Sequence, residues 1–156
     1  MEYSGDKTCL ETFEALTNDG SDSNATKAVL IDVRTMGEWE AIGVPALPEN
    51  AIAPIFVEWQ KSPTMMINPM FVKEVHAQLS DLGIGMNDSI YFLCRSGVRS
   101  MSAAAAMSGF GYNKTFNILD GYEGNPDSNG DRQKISGWVF DKLPIAEYAS
   151  NKQQHE

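Results

Sequence analysis

Cys94, Arg95, Ser96, Gly97, Val98, Arg99 and Ser100 make up the stretch whose residue types and spacing could do chemistry. An apolar run at residues 89–93 leads into the cysteine, and an alanine-rich segment follows the loop. That order reads as a buried strand, a tight turn and a helix. A strand-to-helix turn aims backbone N–H groups, with the positive end of the helix dipole, at whatever sits in its mouth. Here the occupant is the Cys94 sulfur. Arg95 and Arg99 bring two guanidinium charges to the same place, and Gly97 supplies the pliable backbone such a turn needs. Such surroundings lower a thiol's pKa from about 8.5 to roughly 3.5–7.5, which makes the anion the resting form. The expectation is a nucleophilic cysteine, reachable from solvent, in a cradle for a small anion.

CRSGVRS resembles the active-site loop of the rhodanese (sulfurtransferase) superfamily. LIDVRTMGEW is similar to that family's early strand and turn, and SGFGYNKTFNILDGYEG, followed by GW and LP, to its later strand and tail. The likeness spans roughly residues 26 to 145 and points to a single-domain bacterial-type member. One departure is Gly43-Val44-Pro45, where many members carry G-H-I; this suggests a subfamily. The resemblance implies a sulfurtransferase that moves sulfane sulfur from a donor such as thiosulfate to a thiol or cyanide acceptor through a Cys94 persulfide. In that scheme the N–H groups of residues 95–99, Gly97 and Val98 among them, hold the added sulfur. Arg95 and Arg99 bind the donor anion, and Ser96 and Ser100 add hydrogen bonds. Asp32 and Arg34 have a supporting role, ordering the turn beside the loop. The scheme requires no metal and no organic cofactor.

Loop length separates this chemistry from a neighbouring one. Cys94 and Arg99 stand in a C-x-x-x-x-R spacing, one residue shorter than the C-x-x-x-x-x-R of tyrosine phosphatases and related cell-cycle phosphatases. Both loops curl their N–H groups round an anion, but a tetrahedral phosphate needs a wider ring than one sulfur. The shorter ring favours sulfur and leaves a small-anion phosphatase or arsenate reductase as the alternative. A non-catalytic binding module of the same family is a third reading, which the presence of the cysteine disfavours.

The elements that must position the loop follow from spacing and caps. Thr8 to Glu11 and Thr35 to Glu38 both have capping-box spacing and open two short helices, the first running to about Leu16. Residues 28–34 form an apolar run broken by Asp32, the mark of a strand covered on both faces. Residues 51–55 fit an edge strand, because Pro54 cannot donate to a central ladder. Asn68 and Pro69 suit an N-cap and first helical position, with Val72, Val75, Leu79 and Leu82 on one face and Gly83 as the stop. Residues 115–119 read as the next strand, closed by the turn pair Asp120-Gly121. Trp138 to Phe140 and Leu143 to Ile145 resemble the family's closing helix. The fold class is α/β, an open, mostly parallel sheet with helices on both faces. Ligands of such sheets gather at the carboxyl ends of the strands, where Cys94 falls.

The other segments carry weaker signals. Residues 56–68 are apolar with few charges, more in keeping with a covered core edge than with a partner surface. The 124–137 loop is rich in Asn, Pro, Asp, Ser and Gly, and reads equally as a partial lid over the acceptor or as a solvated insertion. Cys9 reads as an incidental thiol, and His76 as a solvent-facing helix residue. Neither His76 nor His155 is placed beside Cys94, so a Cys–His protease scheme has no support.

Length and composition bound the rest. The 156 residues suit one domain over 1–150 with a polar tail at 151–156. A net charge of −9 disfavours nucleic acid and acidic membrane surfaces as partners. The expected partners are a small sulfur-containing anion as donor and a thiol, on a small molecule or a protein, as acceptor. At physiological salt, charges beyond about 8 Å are largely screened, so the local loop outweighs the acidic surface. No apolar run approaches the ~20 residues of a membrane span. The N-terminus lacks the basic start and apolar centre of a secretory signal. Two distant cysteines fit a reducing compartment, and the expected location is cytoplasmic.

Overall fold

A computed structural model describes residues 2–18 and 26–149. In chain order its elements are β1 (Gly5–Lys7), α1 (Cys9–Thr17), β2 (Ala28–Asp32), α2 (Met36–Ile42), β3 (Val44–Pro45), β4 (Ile55–Phe56), β5 (Gln60–Lys61), β6 (Met66–Ile67), α3 (Phe71–Asp81), β7 (Ser89–Leu93), α4 (Val98–Phe110), β8 (Lys114–Ile118) and β9 (Ile145–Ala146). Most of the expected loop at residues 18–24, and the tail with His155, lie outside the described residues.

Five strands form one parallel sheet in the order β1-β8-β7-β2-β4, so the fold is of the expected α/β class. From β2 the chain moves outward to β4, whereas from β7 it moves the other way to β8. The adjacent pair β2 and β7 is therefore the point where the winding reverses, and a crevice opens at the carboxyl ends of such a pair. Cys94 follows β7 directly, and Asp32 closes β2. Leu30, Ile31, Ile90, Phe92 and Leu93 are fully buried, as central strands covered on both faces require. Each such side chain contributes about 1.5–3 kcal/mol relative to exposure.

One face carries α3 and α4. Phe71, Val75 and Leu79 of α3 meet Ala103, Ala104 and Met107 of α4 in a core with Ile31, Ile90 and Phe92. The alanines keep α4 close to the sheet. The opposite face packs Cys9 and Leu16 of α1 against Leu30, Leu93, Tyr122 and Trp138. Both expected capping boxes are present, with Thr8 Oγ1 accepting from Glu11 N and Thr35 Oγ1 from Glu38 N.

Several expectations are corrected. α3 begins at Phe71, two residues beyond the expected start. Asn68 still turns the chain, because its Oδ1 accepts from Met70 N and its carbonyl from Phe71 N. The segment resembling a closing helix is instead a turn: Asp141 N donates to Gly137 O and Lys142 N to Val139 O. β9 follows and pairs antiparallel with β3. His76 is half-buried rather than solvent-facing, with Nδ1 2.7 Å from the Tyr112 hydroxyl and its ring against Phe110. Residues 56–68 divide: Val57 is buried and Trp59 packs on Phe71, while Met65, Met66 and Ile67 on the small β5–β6 ribbon are exposed.

Candidate active site

The sequence after β7 folds back at once because Gly97 adopts φ 108°, a left-handed conformation that costs a side chain about 1–2 kcal/mol. α4 then starts at Val98, earlier than its alanine run suggests, so Val98, Arg99 and Ser100 are its first turn. The first N–H groups of a helix have no partner within it. Cys94 Sγ lies at this terminus, accepting from Gly97 N at 3.1 Å and standing 3.1 Å from Ser100 Oγ.

A second turn supports the loop from beneath. Tyr122 N donates to Cys94 O, and both Glu123 N and Gly124 N donate to Arg95 O. Gly121 makes the fit possible. It has φ 63°, and a Cβ there would stand 2.4 Å from Cys94 O and 2.6 Å from Arg95 O. Cys9 secures the same turn from the far side, its thiol lying 3.6 Å from Leu119 O and 3.5 Å from Gly121 O. Burial, with lesser help from Asp141 and Asp120, pushes that thiol up to about 12. Cys9 is thus a fixed S–H donor.

Asp32 and Arg34 form a fully buried pair one strand away. Asp32 Oδ2 receives Arg34 Nη2 at 2.8 Å, and Oδ1 receives both Nε and the Arg34 backbone N–H. Burial works against the Arg34 charge, but Asp32 outweighs it and holds the guanidinium above its ordinary value. Its Cζ lies 4.0 Å from the Tyr122 ring, and its Nη2 also donates to Gly43 O. Arg34 is thereby linked to the Cys94 backbone through Tyr122, whose ring it covers and whose N–H donates to Cys94 O.

The two loop arginines differ from the sequence reading. Arg99 closes its fork on Glu38, with Nη1 at 2.7 Å from Oε1 and Nη2 at 3.0 Å from Oε2. Burial opposes the Arg99 charge; Glu38 overcomes it, and Cys94 and Asp32 add smaller contributions. Arg95 points outward, 47% exposed, with Nε 3.8 Å from Glu123 Oε2. Such a surface pair is worth little. Both guanidiniums therefore face carboxylates, and the loop is less positive than its sequence alone implies. Glu38 read as a cap and nothing more, since its distance of 61 residues from Arg99 left no local signal. Cys94 itself is 1% exposed, against the expectation of a thiol reachable from solvent, with Arg95 and Val98 exposed around it. Ser96 is half-buried.

This arrangement can hold a sulfur anion on main-chain N–H groups at a helix terminus. Comparison with known proteins identifies the family. The chain is 38% identical over 113 residues to the uncharacterized protein RC0915 of Rickettsia conorii, covering 72% of this chain and 84% of that one. The same identity and coverage hold for the uncharacterized protein RP600 of Rickettsia prowazekii. Among solved structures, Rv0390 from M. tuberculosis superposes with a TM-score of 0.78 at 35% identity, covering 94% of this chain and all of that one. A family model described as a rhodanese-like domain matches residues 14–124. The chain belongs to the rhodanese-like family.

Proposed function

We propose that this protein is a rhodanese-type sulfurtransferase in which Cys94 carries the sulfur. The observation that supports it most is the placement of Cys94 Sγ at the N-terminus of α4 with Gly97 N at 3.1 Å. In the first half-reaction the Cys94 thiolate attacks the outer sulfur of thiosulfate. A new S–S bond forms, the old one breaks, and sulfite leaves with the electron pair. In the second, an acceptor thiolate or cyanide attacks the outer sulfur, and Cys94 leaves as thiolate. The N–H groups of residues 95–99 stabilise the added sulfur as an oxyanion hole stabilises oxygen. Ser100 donates to the thiolate form of Cys94, and Ser96 adds a hydrogen bond. Arg95 meets the incoming anion, and Arg99 sets the shape of the loop through Glu38.

The four-residue ring between Cys94 and Arg99 favours a sulfur anion over phosphate. The partners proposed are a small sulfur-containing anion and a thiol, and the location a reducing cytoplasm, in keeping with two free cysteines. No helix among the described residues is long and apolar enough to cross a membrane. The 124–137 loop, tied to Arg95 O at its start, serves as a partial lid for the acceptor. Trimming it to a short turn without changing acceptor preference removes that role.

One observation favours a second reading, a binding module that carries no sulfur: Cys94 is only 1% exposed. The transferase reading requires that the donor reach this thiol. Thiocyanate formation from thiosulfate and cyanide separates the two. The transferase gives turnover in the wild type and none in Cys94→Ser; no turnover in either, or equal turnover in both, overturns it.

A further inference from the structure

Ser100 Oγ does more than touch Cys94. Its second neighbour is Asn117 Oδ1, to which it donates. Asn117 lies on β8, opposite Asp6 of β1 in the parallel register, and its Nδ2 donates to Asp6 Oδ1 at 3.0 Å. Asp6 Oδ1 also accepts from the Tyr3 hydroxyl at 2.8 Å. Ser100 is fully buried and Asn117 2% exposed, so water does not complete their bonds, whereas Asp6 is exposed.

The direction of this chain is set from its outer end. A carboxylate accepts and does not donate, so Asn117 must turn its amide nitrogen toward Asp6. Its oxygen then faces Ser100. A hydroxyl has one proton to give, and Ser100 gives it to that oxygen. What Ser100 presents to Cys94 is a lone pair. That arrangement suits a neutral thiol, which donates its S–H to the lone pair, and costs little beside the uncharged inner sulfur of a persulfide. It does not suit a bare thiolate, which needs the proton turned toward it.

We propose that Asn117 and Asp6 are positioning residues that aim the Ser100 hydroxyl and thereby favour the states of Cys94 in which Sγ is uncharged. The hydroxyl swings to Sγ when the thiolate forms and returns to Asn117 when sulfur is loaded. The proposal rests on Cys94 being the reactive thiol, but its test does not need sulfur transfer to occur.

The test is the rate of mixed-disulfide formation between Cys94 and methyl methanethiosulfonate, a small neutral probe, followed by peptide mass spectrometry on the rising limb of its pH–rate profile. The thiolate attacks the sulfenyl sulfur and methanesulfinate leaves. Asn117→Ala frees the Ser100 proton, as does Asp6→Ala, which lets the Asn117 amide turn over. One hydrogen bond changes the thiolate population about fivefold, and the accompanying loss of nucleophilicity takes back nearly half of that on a logarithmic scale. Both variants should react about two- to threefold faster. Asp6→Asn removes the obligate acceptor, because an amide can donate as well as accept, and should fall between the wild-type and Asp6→Ala rates. Both accelerations should vanish in a Ser100→Ala background, where there is no proton to aim. Faster reaction that persists without Ser100 reports only looser packing and overturns the proposal, as does an Asp6→Ala rate equal to the wild-type rate. Asp6 is exposed on an edge strand, so its variants remain informative if Asn117→Ala does not fold. Loss of thiocyanate formation with this coupling intact would retire the transferase reading alone.

Discussion

Replacing Glu38 by glutamine tests how the loop is held. Glu38 accepts both arms of the Arg99 fork and, through Oε1, the Thr35 backbone N–H at 3.1 Å. Glutamine serves a capping box as well as glutamate does, so the cap survives and the ion pair does not. Hydrogen bonds to charged groups are worth about 1.5–3 kcal/mol, and both side chains here keep 17–20% exposure to solvent, which places the loss near 2 kcal/mol. For a chain of this size that lowers the melting temperature by about 4–8 °C. Burial raises the Glu38 pKa, but the Arg99 hydrogen bond and the Thr35 N–H prevail and hold it below its ordinary value. A carboxyl depressed in the folded state stabilises fully above its unfolded pKa, about 4.3, and loses that contribution as pH falls through the folded value. Melting curves followed by circular dichroism should therefore show the widest gap between wild type and Glu38→Gln at pH 7. The gap should close as pH drops below about 4. Equal melting temperatures at pH 7, or a gap independent of pH, would refute the role assigned to this pair.

Three further outcomes follow from the geometry. Gly121→Ala forces a Cβ into Cys94 O and Arg95 O from a left-handed φ, so it should cost at least about 3 kcal/mol in denaturant unfolding and abolish thiocyanate formation in whatever folds. Arg34→Met leaves Asp32 buried and unpaired, a loss of about 3–5 kcal/mol that thermal melting at pH 7 should register as a drop of about 6–20 °C. Cys9, pushed up to about 12, should resist thiol reagents at pH 8 in the native protein and react once the chain is unfolded, as peptide mapping would report.

How much of this was legible in the sequence depends on the range of the interaction. The capping boxes at Thr8 and Thr35 were readable because partners three residues apart must meet on a helix. The paired strands β2 and β7 were readable because burial on both faces demands a continuous apolar run. β1 was not foreseen. Its three residues, Gly5, Asp6 and Lys7, have no strand pattern, and pairing with β8 alone makes them extended. The two small antiparallel ribbons lie in the same class, at two residues a strand. At the site, Cys94, Gly97 and Ser100 were marked by their own loop. Glu38, Asn117, Gly121 and Tyr122 converge on it from elsewhere, and only the closed sheet brings them there. The charge of the loop was overestimated for the same reason: sequence lists Arg95 and Arg99 but not the carboxylates that meet them.

Whether Cys94 takes up sulfur is read from the intact mass of the protein after brief treatment with thiosulfate under non-reducing conditions, with the modified peptide mapped. The expected result is a gain of one sulfur atom on Cys94, removed by cyanide or a thiol and absent in Cys94→Ser. An unchanged mass, or sulfur recovered on Cys9 instead, would contradict it.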